Sequence, residues 1–118
     1  PPPVVVAPQG GSYEAYSAEK VAFASSGKVV LFFYSPSCEG CVRLDQHLTA
    51  NNGLIPKGVR ILKVDFDTDT ATKEKYGVQN PHLLIQVNST GGKITQWTGS
   101  LTATDIVART VTAPKSPF

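Results

Sequence analysis

Hydrophobic residues are unevenly spread along the chain, and the densest stretch comes early. Val29-Val30-Leu31-Phe32-Phe33-Tyr34 is an unbroken run of β-branched, aliphatic and aromatic residues. A run this short, closed by Ser35-Pro36-Ser37, predicts a buried strand. Val59, Ile61, Val64 and Phe66 are interleaved with polar positions and predict a second strand over 59–66. Leu83–Val87 reads as a third. The turn Asn88–Gly92 carries two glycines and leads into Lys93–Trp97, which predicts an antiparallel hairpin.

Helical spacing fills the intervals. Ser12 stands where it can cap a helix from Tyr13 to about Ser25, with Tyr16, Val21, Phe23 and Ala24 on its apolar face and Gly27 ending it. A helix from Cys41 to about Ala50 turns Val42, Leu44 and Leu48 inward and stops at Asn51-Asn52-Gly53. Thr68 or Asp69 caps a short helix through Lys75, and Gly77 closes it. Thr102 or Thr104 starts a last helix whose Ile106, Val107 and Val111 face the core. Strands separated by helices require crossovers and hence a parallel pair, and the closing hairpin adds antiparallel pairing. The expected class is α/β: a central mixed sheet of about four strands flanked by helices on both faces.

Composition narrows the field. With 118 residues, 41% hydrophobic and 17% charged, the chain suits one domain with a real core and no need of staples. Its net charge is +2 and its eleven basic residues are scattered, so no basic stripe marks a nucleic-acid partner. No run approaches the ~18 apolar residues that span a bilayer. The first eleven residues, PPPVVVAPQGG, read as a Pro/Gly-rich tether (1–11), followed by the domain (12–113) and a frayed tail (114–118). The chain shows no basic n-region and begins without Met. We read it as a processed form from which an export signal, lipid anchor or membrane helix has been removed. The expected location is extracytoplasmic, with a membrane tether if the removed segment was an anchor; the alternative is cytoplasmic.

The two cysteines carry the chemistry. They sit three apart, as Cys38-Glu39-Gly40-Cys41, directly after the apolar strand. A strand that opens into a helix at C-x-x-C sets a sulfur at the helix N-terminus, where free amides and the dipole favour a thiolate. The same spacing lets the sulfurs close a disulfide. Two cysteines do not make a multi-bridge framework, and a cysteine-only zinc site needs two more. The pair is therefore redox-active, structural, or part of a mixed metal site. A structural bridge across so short a loop gains little entropic stabilisation. Elsewhere, His47 reads as a surface or packing residue and Trp97 as core or sheet-face packing. Asp65, Asp67 and Asp69 read as solvated caps, since the Gly and terminal Glu of an EF-hand are missing.

On these residues the chain resembles the thioredoxin-like family. The likeness runs from about Tyr13 to Thr112 and rests on four features: VVLFFYS leading into C-x-x-C, VRILKVDFDTD with its V-D-x-D ending, Tyr76-Gly77-Val78 before the third strand, and Gly99-Ser100-Leu101 opening the last helix. The resemblance implies thiol–disulfide exchange with protein or small-molecule dithiols and disulfides, supported by a redox partner. It implies that Cys38 attacks and Cys41 resolves. No cofactor is expected, because the dithiol itself carries two electrons, and the expected working unit is a monomer.

Three departures qualify the likeness. The family's buried Asp, six residues before the first cysteine, is Phe32 here, so activation of Cys41 falls to water or another group. Glu39-Gly40 separates the cysteines, and a carboxylate beside Cys38 opposes its thiolate, which predicts a less acidic thiol and a less oxidising disulfide. The family's cis-proline aligns with His82, with Pro81 one residue before. Either Pro81 serves, or His82 faces the sulfurs. The second alignment keeps Leu83-Leu84-Ile85 in the family's strand register and is the one we expect. Beside the sulfurs, His82 would tune their acidity or, as an alternative function, complete a Cys38–Cys41–His82 site for a soft metal. A non-catalytic interaction module is the remaining alternative. The candidate site is thus Cys38 and Cys41, flanked by Glu39, Gly40, Pro81 and His82.

Overall fold

In the computed structural model, which describes residues 11–111, the apolar run is strand β2 (Lys28–Tyr34) at the middle of a five-stranded sheet. The other strands are β1 (Ser12–Ala15), β3 (Val59–Asp65), β4 (Leu83–Val87) and β5 (Lys93–Thr98), in the order β1-β3-β2-β4-β5. β3 pairs in parallel with both β1 and β2, whereas β4 pairs antiparallel with β2 and β5. The helices are a 3-10 helix (Ala18–Ser25), α1 (Glu39–Ala50), α2 (Thr70–Tyr76) and α3 (Ala103–Arg109), with a one-turn 3-10 segment at Asn52–Leu54. Apart from Gly11, the expected tether lies outside the described residues, as does the tail over 114–118. Among the described residues no helix is long and apolar enough to cross a membrane.

β2 explains why the sheet is covered on both sides. Its residues alternate between two cores: Val30 and Phe32 pack with Cys41, Leu44, Leu48 and Ile106 from α1 and α3. Val29, Leu31 and Phe33 pack on the opposite face with Val21 of the 3-10 helix and Val78 just beyond α2. All five residues from Val29 to Phe33 are fully buried. Burial of side chains this size contributes on the order of 1.5–3 kcal/mol each, so this one strand anchors both layers.

The chain departs from the sequence expectation at its start. Ser12–Ala15 is an edge strand and not the first turn of a helix, and helical structure begins only after Ser17, as a 3-10 helix. The sheet therefore has five strands where about four were expected. The physical reason lies in β3, whose outer edge would otherwise expose its backbone groups. Ser12 to Ala15 pair with Arg60 to Lys63 along that edge. Tyr13 contributes further by donating a 2.6 Å hydrogen bond to Asp45 on α1.

The other boundaries follow local chemistry. Asp69 caps α2 by accepting from the Thr72 amide at 3.1 Å, and Gly77 ends it with a left-handed φ of 65°. Thr102 caps α3, so Gly99-Ser100-Leu101 forms the loop before that helix and not its first turn. Asn88 organises the hairpin by accepting from the amides of Thr90 and Gly92 at 3.0 and 2.8 Å.

Candidate active site

β2 delivers the chain to one end of the sheet, and the loop Ser35–Ser37 then turns it into α1. Ser35 is buried and ties this loop down, donating to Asp67 at 3.0 Å and lying 2.9 Å from the Ser37 hydroxyl. Asp67 thus braces the loop, while Asp65 accepts from the Asp67 amide at 3.0 Å. α1 starts at Glu39, two residues earlier than expected, because Cys38 is itself the N-cap. The Cys38 sulfur accepts a hydrogen bond from the Cys41 amide at 3.1 Å. One otherwise orphaned helix amide is thereby directed at sulfur, the arrangement that favours a thiolate.

Cys38 and Cys41 are joined as a disulfide, with Cα atoms 5.1 Å apart. Their environments differ. Cys38 is partly exposed, whereas Cys41 is fully buried in the core under α1. The Cys41 sulfur lies 3.7 Å from the Phe33 carbonyl, the position from which a reduced thiol donates. Phe32 fills its place completely and carries no carboxylate; its ring meets Tyr13, Tyr34 and His82 at centroid distances of 6.4, 6.0 and 6.3 Å.

His82 stands beside the sulfurs, as expected. A ring nitrogen of His82 and both sulfurs lie within 4.8 Å of one another. Its backbone amide donates to the Phe33 carbonyl at 2.8 Å, and its φ is 67°, a left-handed value. Among the described residues no peptide bond is cis, so Pro81 follows Asn80 in the trans form. Pro81 lies one residue outside the contact, on the wall of a groove of about 300 Å³ formed with Gln79, Asn80, Leu83, Gln96 and Thr98.

The imidazole is oriented from behind. Its Nε2 lies 2.7 Å from the Ser100 carbonyl oxygen. A carbonyl only accepts, so Nε2 carries the hydrogen and the lone pair of the neutral ring is on Nδ1. Ser100 is fully buried and held by its own side chain, which accepts from Trp97 Nε1 at 2.9 Å and donates to Asp105. Thr98 adds a 2.8 Å hydrogen bond to the His82 carbonyl. Sequence reasoning missed Ser100 and Asp105 as supports of the site. In the sequence, Ser100 stood only within Gly99-Ser100-Leu101 as a helix-opening segment, which carries no sign of a bond to His82.

The remaining candidates sort by position. Gly40 lies against the His82 ring: a β-carbon there would come 2.6 Å from Cε1 and 2.7 Å from Nδ1. Glu39 points into solvent and pairs with Arg43 one turn on at 3.3 Å, so water screens its charge at the sulfurs. His47 is on α1 with Nδ1 facing Asn51 at 3.5 Å, away from the cysteine group.

A redox-capable C-x-x-C at the mouth of this sheet, one cysteine partly exposed and one buried, defines a thiol–disulfide oxidoreductase of the thioredoxin fold. Residues 12–112 match the thioredoxin family, and the chain belongs to it. Among solved structures it is similar to Trxlp from Edwardsiella tarda EIB202, with 28% identity over 82% of this chain and 96% of that one and a TM-score of 0.64. Fasciola hepatica thioredoxin is 21% identical over 84% of this chain and 93% of that one, with a TM-score of 0.64. A mutant thioredoxin from Halobacterium salinarum NRC-1 is 20% identical over 91% of this chain and 96% of that one, with a TM-score of 0.60. A comparison with curated protein sequences gives no match.

Proposed function

We propose that Cys38 is the attacking thiol and Cys41 the resolving one, and that the chain exchanges disulfides with protein substrates meeting it at the 81–82 loop. The observation that carries this reading is the contrast in burial: Cys38 is partly exposed at the helix N-terminus and Cys41 is sealed beneath it. In the reduced protein the Cys38 thiolate is supported by the Cys41 amide, and the Cys41 thiol has the Phe33 carbonyl as its acceptor. Cys38 attacks one sulfur of a substrate disulfide and expels the other as a thiolate, forming a mixed disulfide. Cys41, deprotonated, then attacks Cys38 and releases the second substrate sulfur. Two electrons pass to the substrate, and the chain is left with its own disulfide.

His82 flanks the sulfurs and meets the substrate backbone, and Pro81 helps to line the adjoining groove that receives the substrate's side chains. Glu39 and Gly40 set the tuning on the helix side: Glu39 by a screened negative charge, Gly40 by leaving room for the imidazole. We place the protein outside the cytoplasm, working as a monomer on a tether. The support for the tether is the Pro/Gly-rich composition of residues 1–11.

Insulin reduction with dithiothreitol as electron source tests the assignment. The wild type should accelerate precipitation of the insulin B chain and Cys38→Ser should not. Retention of activity by Cys38→Ser removes the reading.

A further inference from the structure

We propose that, once the disulfide is reduced, Cys38, Cys41 and His82 bind a single Cu(I) ion, so that the same sulfurs alternate between a disulfide and a metal site. This inference does not depend on the order of attack given above; it depends on the donor set and on how His82 is held.

Two sulfurs and one imidazole nitrogen already lie within 4.8 Å of one another. Ions bound by sulfur and imidazole sit about 2.3 Å and 2.0 Å from these donors, so a sulfur and a nitrogen on one ion are at most ~4.3 Å apart. The cluster therefore needs a closure of about half an ångström at its widest pair. Breaking the bond between the sulfurs frees the partly exposed Cys38 to move towards the ring.

The imidazole is prepared for this role. Its Nε2–H is taken by the buried Ser100 carbonyl at 2.7 Å, which leaves Nδ1 with a free lone pair. Metal-binding histidines characteristically donate their second nitrogen in this way, which fixes the tautomer and the ring plane. Ser100 is in turn fixed by Trp97 and Asp105, so ring orientation is set before any ion arrives. Gly40, lacking a β-carbon, lets the Nδ1 edge lie against the first turn of α1.

The donors select the ion. Two thiolates and one imidazole form a soft, three-donor set, which suits Cu(I) and leaves zinc one ligand short of its usual four. Ions that prefer oxygen are excluded by the same set. Binding replaces two thiol protons with one Cu(I), and the protons leave to solvent. No electron moves. Cu(II) would behave differently: two such ions would take one electron each from the dithiol, giving two Cu(I) and the disulfide. The oxidised protein offers no thiolate and so should not hold the ion.

The test uses the whole chain, reduced with a phosphine, freed of it, and kept anaerobic. Cu(I) is supplied as its bathocuproine disulfonate complex, and transfer is followed by loss of the complex's colour. The reduced wild type should take one equivalent, the oxidised protein none, and His82→Ala should bind at least tenfold more weakly. X-ray absorption on the copper-loaded wild type reads the ligands directly, whatever the folding of a variant, and should give two sulfurs and one nitrogen. Uptake by the reduced wild type no greater than by a Cys38→Ser/Cys41→Ser double variant would overturn the proposal. So would sulfur-only coordination, or equal affinity in His82→Ala. Insulin reduction measured with copper chelated keeps the two readings separate: inactivity there counts against disulfide exchange and leaves the metal result standing.

Discussion

The imidazole of His82 rests on the α-carbon of Gly40, with no space between them for a methyl group. In an unobstructed helix, replacing glycine by alanine stabilises by roughly 0.5–1 kcal/mol. Here the added carbon meets a ring pinned at its far edge by the Ser100 carbonyl. Gly40→Ala should therefore lower stability in the wild type and raise it in a His82→Ala background. Urea unfolding of the four proteins should give a coupling of about 0.5–3 kcal/mol between the two sites. Additive effects would mean the contact carries no energy.

The burial of Cys41 sets the next expectation. With Cys41 absent, Cys38 forms the mixed disulfide and nothing inside the protein displaces it. Cys41→Ser should accumulate a substrate-linked adduct, visible on a non-reducing gel and lost on adding dithiothreitol. Cys38→Ser should show none. Equal adducts from both variants would contradict the division of labour.

His82 is not exchangeable for the proline that the family carries near this point. Its φ of 67° is far from the ~−65° of proline, and its amide donates to the Phe33 carbonyl at 2.8 Å. His82→Pro loses that hydrogen bond and must rebuild the backbone, at a cost of about 3 kcal/mol or more. His82→Ala keeps the amide and loses the bond to Ser100, at a cost of about 1 kcal/mol. Thermal or urea unfolding should rank proline well below alanine. Equal stabilities would show that the loop refolds around proline without strain.

Tyr13 links the edge strand to α1 and makes stability sensitive to alkali. Burial pushes its phenol well above the ordinary tyrosine value, and the hydrogen bond to Asp45 and that carboxylate's charge push it further. A pKa raised on folding contributes stability that is complete below the unfolded value near 10 and is lost as pH climbs beyond it. Unfolding free energy should fall above about pH 10, and Tyr13→Phe should remove part of that slope. At neutral pH the same substitution should cost about 1–2 kcal/mol, because Asp45 keeps Lys63 at 3.0 Å as a partner. An unchanged alkaline slope in Tyr13→Phe would assign the effect to another group.

Ser100 has two side-chain partners, Trp97 and Asp105, while its carbonyl orients His82. Ser100→Ala leaves the indole N–H of a buried tryptophan unpaired, which costs about 1–3 kcal/mol. It should also loosen the ring. Nuclear magnetic resonance of the His82 side chain should then show a mixture of tautomers where the wild type shows Nε2–H alone. A single Nε2–H tautomer in both proteins would show that the carbonyl needs no help from its side chain.

The sequence by itself determined the buried strand, the turn into a helix at the cysteine pair, the hairpin, and the helix starts near residues 69 and 102, while the structure chose Cys38, Asp69 and Thr102 as the caps. Each is written in a few consecutive residues, whose periodicity and turn chemistry act on the backbone next to them. Through the register of Leu83-Leu84-Ile85 it also favoured His82 over Pro81 beside the sulfurs, and the packed structure made the choice. Tertiary structure decided the rest. Ser12–Ala15 is a strand because β3 has an open edge that needs a partner, and no local pattern at residue 12 records an edge near residue 60. The tautomer of His82 is set by a carbonyl eighteen residues away, and Tyr13 finds its acceptor thirty-two residues on. Such partners meet only after two layers have packed on the sheet, because hydrogen bonding is satisfied in space and not along the chain.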